Sequence, residues 1–216
     1  MSTSRIAVLV LGVVLSGAAL ARAKENPKVD LGGSCASSVA ALSARDVAFR
    51  ASPKDRFKPR QFADVGQCLV GEGGARMPAA LFALGTATPP LSIRVELFGS
   101  TKGTLAASVA LLDGEFQPLK TFGFDQFTHR NMDYALTAFV NADLGSARYV
   151  LITPDASAVG RKSTLVTGDR WTAPIITPVV IGSYSDGVEN VVEAPLEAAG
   201  SLQVIVEPYV ERAIGK

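Results

Sequence analysis

Leu91-Ser92-Ile93-Arg94-Val95-Glu96-Leu97-Phe98 alternates with a period of two: Leu91, Ile93, Val95 and Leu97 fall on one side, Ser92, Arg94, Glu96 and Phe98 on the other. Successive side chains of an extended strand point to opposite faces, so this pattern predicts a half-buried strand of an antiparallel sheet. Residues 106–112 read as a second strand, ended by Asp113-Gly114. That pair lies between apolar Leu112 and Phe116 and tolerates positive φ, which makes it a hairpin signal. Residues 134–140 and 148–153 are expected to form another hairpin across 141–147. The continuous apolar centre of 148–153 suits a central strand. Residues 201–207 alternate again, with Leu202, Val204 and Val206 on one face, and stop at Pro208, which has no N–H for a ladder.

Short strands punctuated by Gly, Pro and Asp, without long helical periodicity, predict an all-β, antiparallel, jelly-roll-like β-sandwich. A short N-terminal segment of little regular structure precedes it. Within that segment residues 34–42 could start a short helix capped by Ser34, with Val39 and Leu42 on one face. Residues 46–62 carry five basic residues and two prolines. They read as a solvated irregular segment, with a binding patch as the alternative. Residues 160–200 hold the one tryptophan, Trp171, and form the least regular stretch, whose apolar content predicts a packed excursion.

The first 23 residues indicate a compartment. One positive charge in residues 1–5, an apolar run over 6–15, and Ala21-Arg22-Ala23 make the n-region, h-region and A-x-A site of a cleavable signal peptide. A buried helix or an uncleaved anchor is the alternative. Cleavage after residue 23 of the 216 leaves 193, comfortable for one domain, with no other apolar stretch long enough to span a bilayer. The expected division is a signal peptide over 1–23, an N-terminal segment over 24–60 and a β-sandwich over 61–216. The expected location is the periplasm. Losing Arg5 and Arg22 takes the net charge from +1 to −1, without the basic footprint of a nucleic-acid binder. Cys35 and Cys68, the only cysteines, are expected to pair in an oxidising compartment, two buried thiols being the alternative.

Catalytic signals are missing. The single histidine, His129, lies in a polar run that suits a surface residue, and no G-x-S-x-G places a serine on a nucleophile elbow. No ligand spacing suggests a metal, and no fingerprint suggests a nucleotide or other cofactor. Carboxylates such as Asp125 with Asp133, or Asp186 with Glu189, resemble solvated loop acids. Gly71-Glu72-Gly73-Gly74 reads as a turn rather than a phosphate cradle. Aromatic residues are the remaining lead. Phe122, Phe124 and Phe127 crowd one stretch and Trp171 and Tyr184 fall in 160–200; all five are read first as core or lid residues, with an exposed stacking face as the alternative. Trp171 and Tyr184, with Asp186 and Asn190 nearby in sequence, are the candidate ligand-binding residues, because a sugar needs a stacking face and partners for its hydroxyls.

Several blocks resemble the maltose-operon periplasmic protein family. They are Cys35-Ala36-Ser37-Ser38, Arg76-Met77-Pro78-Ala79, Ser92-Ile93-Arg94-Val95-Glu96-Leu97 and Val109-Ala110-Leu111-Leu112-Asp113-Gly114-Glu115-Phe116-Gln117-Pro118, with residues 148–153 and 202–207 similar to later family strands. The resemblance implies a periplasmic role in carbohydrate transport, with maltodextrin or components of a sugar-uptake system as partners. It brings no catalytic residues. The alternative is a periplasmic protein–protein adaptor with no sugar contact. Intact-mass analysis of protein taken from a periplasmic extract is expected to show a chain beginning at Lys24; a mass retaining residues 1–23 would contradict the signal-peptide reading.

Overall fold

The computed structural model describes residues 25–52, 54–85, 89–176 and 181–209, so the signal-peptide segment lies outside the described residues. In chain order the strands are β1 (Arg45–Asp46), β2 (Ala48–Phe49), β3 (Arg60–Gln61), β4 (Gln67–Val70), β5 (Arg76–Ala83), β6 (Leu91–Phe98), β7 (Thr104–Leu105) and β8 (Ala107–Leu112). They continue as β9 (Pro118–Phe122), β10 (Thr128–Arg130), β11 (Asp133–Val140), β12 (Tyr149–Pro154), β13 (Lys162–Ile176), β14 (Ile181–Glu197) and β15 (Ser201–Pro208). A single α-helical turn, α1 (Phe62–Val65), joins β3 to β4. Among the described residues no helix is long and apolar enough to cross a membrane.

The fold is an all-β sandwich. One six-stranded sheet runs β1-β5-β12-β8-β9 with β4 also on β5; the other runs β10-β11-β6-β15-β2 with β3 also on β15. The alternation in β6 decides its orientation: Leu91, Ile93, Val95 and Leu97 are buried, while Arg94, Glu96 and Phe98 are half-buried. They meet Leu202, Val204 and Val206 of β15 from the same sheet, and Ala80, Phe82, Val109, Leu111, Val150 and Ile152 from the facing sheet, in one continuous core. Each fully buried Val, Leu or Ile in such a core is worth about 1.5–3 kcal/mol relative to exposure. Phe122, Phe124 and Phe127 belong to this core, as expected of them. β12 is central in its sheet, as its apolar run implied.

β12, β5 and β8 are apolar on both faces. Ala79, Leu81 and Leu112 point away from the main core into a second cluster with Leu42 and Leu69, packed by Ala36, Val39, Met77, Tyr149 and Leu151. The N-terminal segment is the cover that keeps water off this second face. Its contact is pinned where Ala36 donates to the Cys68 carbonyl at 2.8 Å and Val70 donates to the Ala36 carbonyl at 2.9 Å. The Cys35–Cys68 disulfide, with Cα atoms 4.6 Å apart, holds the same point.

Four expectations are corrected. Strands β11 and β12 form no hairpin: β11 pairs with β6 and β12 with β5 and β8, so 141–148 crosses between the sheets. Alternation identifies a strand but not its sheet, and a connection of this length easily spans the spacing of about 10 Å between packed sheets. Within 160–200, residues 162–176 and 181–197 are not irregular. They form β13 and β14, the longest strands, paired rung by rung from Lys162↔Pro195 to Ile176↔Ile181. A two-stranded ribbon leaves one edge of each strand unpaired, which accommodates prolines such as Pro174. Residues 34–42 yield only a 3₁₀ turn at Val39–Ala41 after Ser38. Extended pairing at Ala36 leaves too few residues to nucleate a helix. The β8–β9 hairpin forms, yet its positive φ falls on Phe116 (62°) rather than on Asp113 or Gly114. The Phe116 ring stacks on Tyr149 at 4.6 Å, and Asp113 Oδ1 accepts the N–H groups of Glu115 and Gln117, both at 2.8 Å.

Gly200, between β14 and β15, has φ of 150°, and a Cβ there would lie 2.8 Å from the Leu105 backbone nitrogen. Glycine is the residue that permits this approach. Replacing both Cys35 and Cys68 by serine opens a loop with a sequence separation of 33 and is expected to lower stability by about 3–4 kcal/mol in denaturant unfolding. An unchanged midpoint would mean that the cover holds without its staple.

Candidate functional site

β13 and β14 carry all four residues that the sequence singled out. Their backbone register sets Trp171 opposite Asp186, Tyr184 opposite Ala173 and Asn190 opposite Thr167. Directly opposed residues share a rung, and rungs two apart repeat the same parity, so the four positions fall on rungs of one parity. Trp171 and Tyr184 are two rungs apart, about 7 Å along the ribbon; Asn190 is four rungs from Trp171, about 13 Å. The side chains of Trp171, Tyr184 and Asp186 lie outside the described residues, whereas Asn190 is exposed.

The ribbon is anchored at its base. Leu165, Ala194 and Leu196 are buried, and Ser163 Oγ is hydrogen-bonded to the buried Tyr134 hydroxyl. Val166 donates its N–H to the Asn131 carbonyl at 3.1 Å. Lys162 Nζ meets Glu193 Oε2 at 2.8 Å across the strands. The hydrogen bond and then the charge of each partner raise the Lys162 pKa and lower that of Glu193. Among the described residues, the ribbon's strand pairing to the rest of the fold is confined to this base, where Leu196 and Glu197 pair with Thr104 and Leu105.

The histidine and two of the carboxylates considered from the sequence have partners in the fold. His129 sits on exposed β10 with its ring stacked on Tyr134 at 4.4 Å. Asp125 pairs with Arg161 at 3.0 Å, and Asp133 Oδ1 accepts the Gly99 N–H at 3.2 Å. Among the described residues no group of three or more His, Cys, Asp or Glu could hold a metal ion. The glycine-rich stretch after β4 is a turn, with positive φ at Gly73 and Gly74, followed by β5.

A concave feature lies at the edge of β15. β3 pairs with Ser201 and Leu202, β2 pairs with Ile205 and Val206, and among the described residues no strand pairs with Gln203 and Val204 on that side. A cleft of about 240 Å³ opens there, lined by parts of 46–60 together with Phe82, Leu202, Gln203 and Val204. Reading 46–62 as a solvated segment missed it. Five basic residues around Phe57 were the available signal, but no local pattern shows that two fragments of this segment leave a gap on a strand 140 residues away.

Asp155, just after β12, is the most engaged carboxylate. Burial by itself would raise its pKa; the Phe124 N–H at 2.8 Å, the Ser157 hydroxyl at 2.6 Å and N–H at 2.9 Å, and the charge of Arg161 outweigh that and hold it below the ordinary carboxylate range. The native state therefore favours the ionised form. The stability this contributes is present above the unfolded-state pKa and is lost as pH falls through the lower native value. Asp155→Ala is expected to cost about 1–3 kcal/mol at neutral pH. The difference from the parent should shrink in urea titrations below about pH 4; a pH-independent difference would argue against the ionised hydrogen bonds.

No family model matches this chain, and neither a curated protein nor a solved structure matches it significantly.

Proposed function

We propose that this protein is a non-catalytic periplasmic accessory protein of maltose and maltodextrin transport, touching the sugar along the β13–β14 ribbon. The observation that carries the reading is the register: Trp171 shares a rung with Asp186, and Tyr184 lies two rungs away with the same parity. Sugar recognition combines an aromatic face for the apolar side of the ring with carboxylate or amide partners for its hydroxyls. The resemblance of residues 92–97, 109–118 and 148–153 to the maltose-operon periplasmic family supports the link to carbohydrate uptake and to the periplasm.

A second reading, a protein–protein adaptor, is favoured by a different observation. Over most of their length β13 and β14 pair only with each other, so both outer edges of the ribbon are open among the described residues. Open edges are templates for an added strand.

Trp171 is the chain's one tryptophan, so its fluorescence reports the ribbon directly. Titration with maltose and longer maltodextrins is expected to change that signal with a Kd of about 1 mM or tighter, and Trp171→Ala should remove binding measured by calorimetry. No response up to about 10 mM would leave the adaptor reading in place. Release of glucose or shortened dextrins by the purified protein would overturn the non-catalytic assignment.

A further inference from the structure

We propose that the opening in the β15 edge is a binding site for a small apolar molecule bearing a carboxylate, separate from the sugar contact on the ribbon. The gap exists because the N-terminal segment completes this edge with two short strands instead of one. β3 covers Ser201 and Leu202, β2 covers Ile205 and Val206, and the chain between them loops away through Phe57 and Pro59. Phe82, Leu202 and Val204, three members of the main core, become the apolar floor of the cleft. The volume, about 240 Å³, is below the usual range for drug-sized ligands and suits one small molecule.

Two polar features call for an anion. Gln203 lines the cleft at 8% exposure, and its Nε2 is buried with no hydrogen-bond partner. A buried donor without an acceptor is costly; Gln203 alternates with Leu202 and Val204 along β15 and meets the gap from the sheet's other face, where an acceptor reaching through the open edge would relieve it. Lys58 and Arg60 are exposed on the rim and have neither a side-chain hydrogen bond nor an ion pair among the described residues. The neighbouring basic residues differ: Arg50 reaches Glu207 at 3.7 Å and lies over the Phe57 ring, and Arg45 donates to the Asp64 carbonyl. Asp46 is the single carboxylate in the lining, so its charge leaves the site net positive. An apolar floor below two unengaged cations and an amide donor fits a carboxylate on a hydrophobic body better than an inorganic anion, which would leave the floor dry and unfilled.

The test follows the Gln203 side-chain NH₂ by ¹⁵N-edited NMR on the exported protein, assigned by its loss in Gln203→Leu. The probes are phenylacetate, 2-phenylethanol and 2-phenylethylamine. Phenylacetate is expected to shift the Gln203 NH₂ and the Val204 N–H, with the alcohol and the amine at least about tenfold weaker. A Lys58→Ala/Arg60→Ala variant, changed only at exposed positions, should keep the spectrum of the folded protein and lose at least about tenfold in affinity. Asp46→Asn should tighten binding. No shift with phenylacetate up to about 10 mM would overturn the proposal, as would equal binding of the alcohol or the amine, or undiminished binding by the double variant. Trp171 fluorescence should stay unchanged throughout, which keeps this result independent of the sugar reading.

Discussion

Exclusion of water between β6–β15 on one side and β5–β12–β8 on the other is the constraint on which the rest of the structure depends. Ile93, Val95, Leu97, Leu202, Val204 and Val206 supply one inner face, and Phe82, Val109, Leu111, Val150 and Ile152 the other. Every one of these strands has its orientation set by that burial, because a slip of one residue would turn its apolar set outward. The β6 register illustrates it: antiparallel pairing with both β11 and β15 brings Val95 opposite Leu136 and Val204.

Meeting that constraint creates a second one. β5, β8 and β12 cannot hide both of their apolar faces in a single core, so Leu81, Leu112 and Leu151 need a cover from outside the sandwich. Residues 36–42 provide it, and the Cys35–Cys68 bond keeps a segment with almost no regular structure of its own in place. The N-terminal segment then closes one edge of each sheet, with β1 on β5 and β2 and β3 on β15. Such edges are hazards when left bare. The parallel pairs of an otherwise antiparallel sandwich core, β1–β5 and β2–β15, arise from this strapping. The cleft beside Gln203 is its by-product, since two short fragments cannot cover an edge continuously.

The β13–β14 ribbon is built differently. Its base is tied down by Leu165, Ala194, Leu196 and the Ser163–Tyr134 hydrogen bond, while its outer rungs draw their pairing from each other alone. An isolated two-stranded ribbon is marginal by itself, which is why its anchored base matters. In this ribbon the chain's one tryptophan shares a rung with a carboxylate, Trp171 opposite Asp186.

Period-two alternation made β6 and β15 legible from sequence, because side-chain direction in a strand is a local property of the backbone, and the continuous apolar run of 148–153 did the same for the central place of β12. Composition likewise made the Cys35–Cys68 pairing and the burial of Phe122, Phe124 and Phe127 readable. What lay beyond sequence was always a matter of partners. The hydrophobic pattern of β11 and β12 is the same whether they share a hairpin or face each other across the core; only packing against β6 and against β8 separates them. Residues 160–200 looked irregular because prolines and glycines break a strand that must hydrogen-bond on both sides, and nothing local says that this one need not. The grouping of Trp171, Tyr184 and Asp186 was suggested by sequence proximity, but their common parity comes from the ribbon register. The Gln203 cleft was legible in neither composition nor pattern. It exists only because β2, β3 and β15, distant in the chain, meet at one edge, and hydrogen-bonded pairing between distant strands is decided by the whole fold at once.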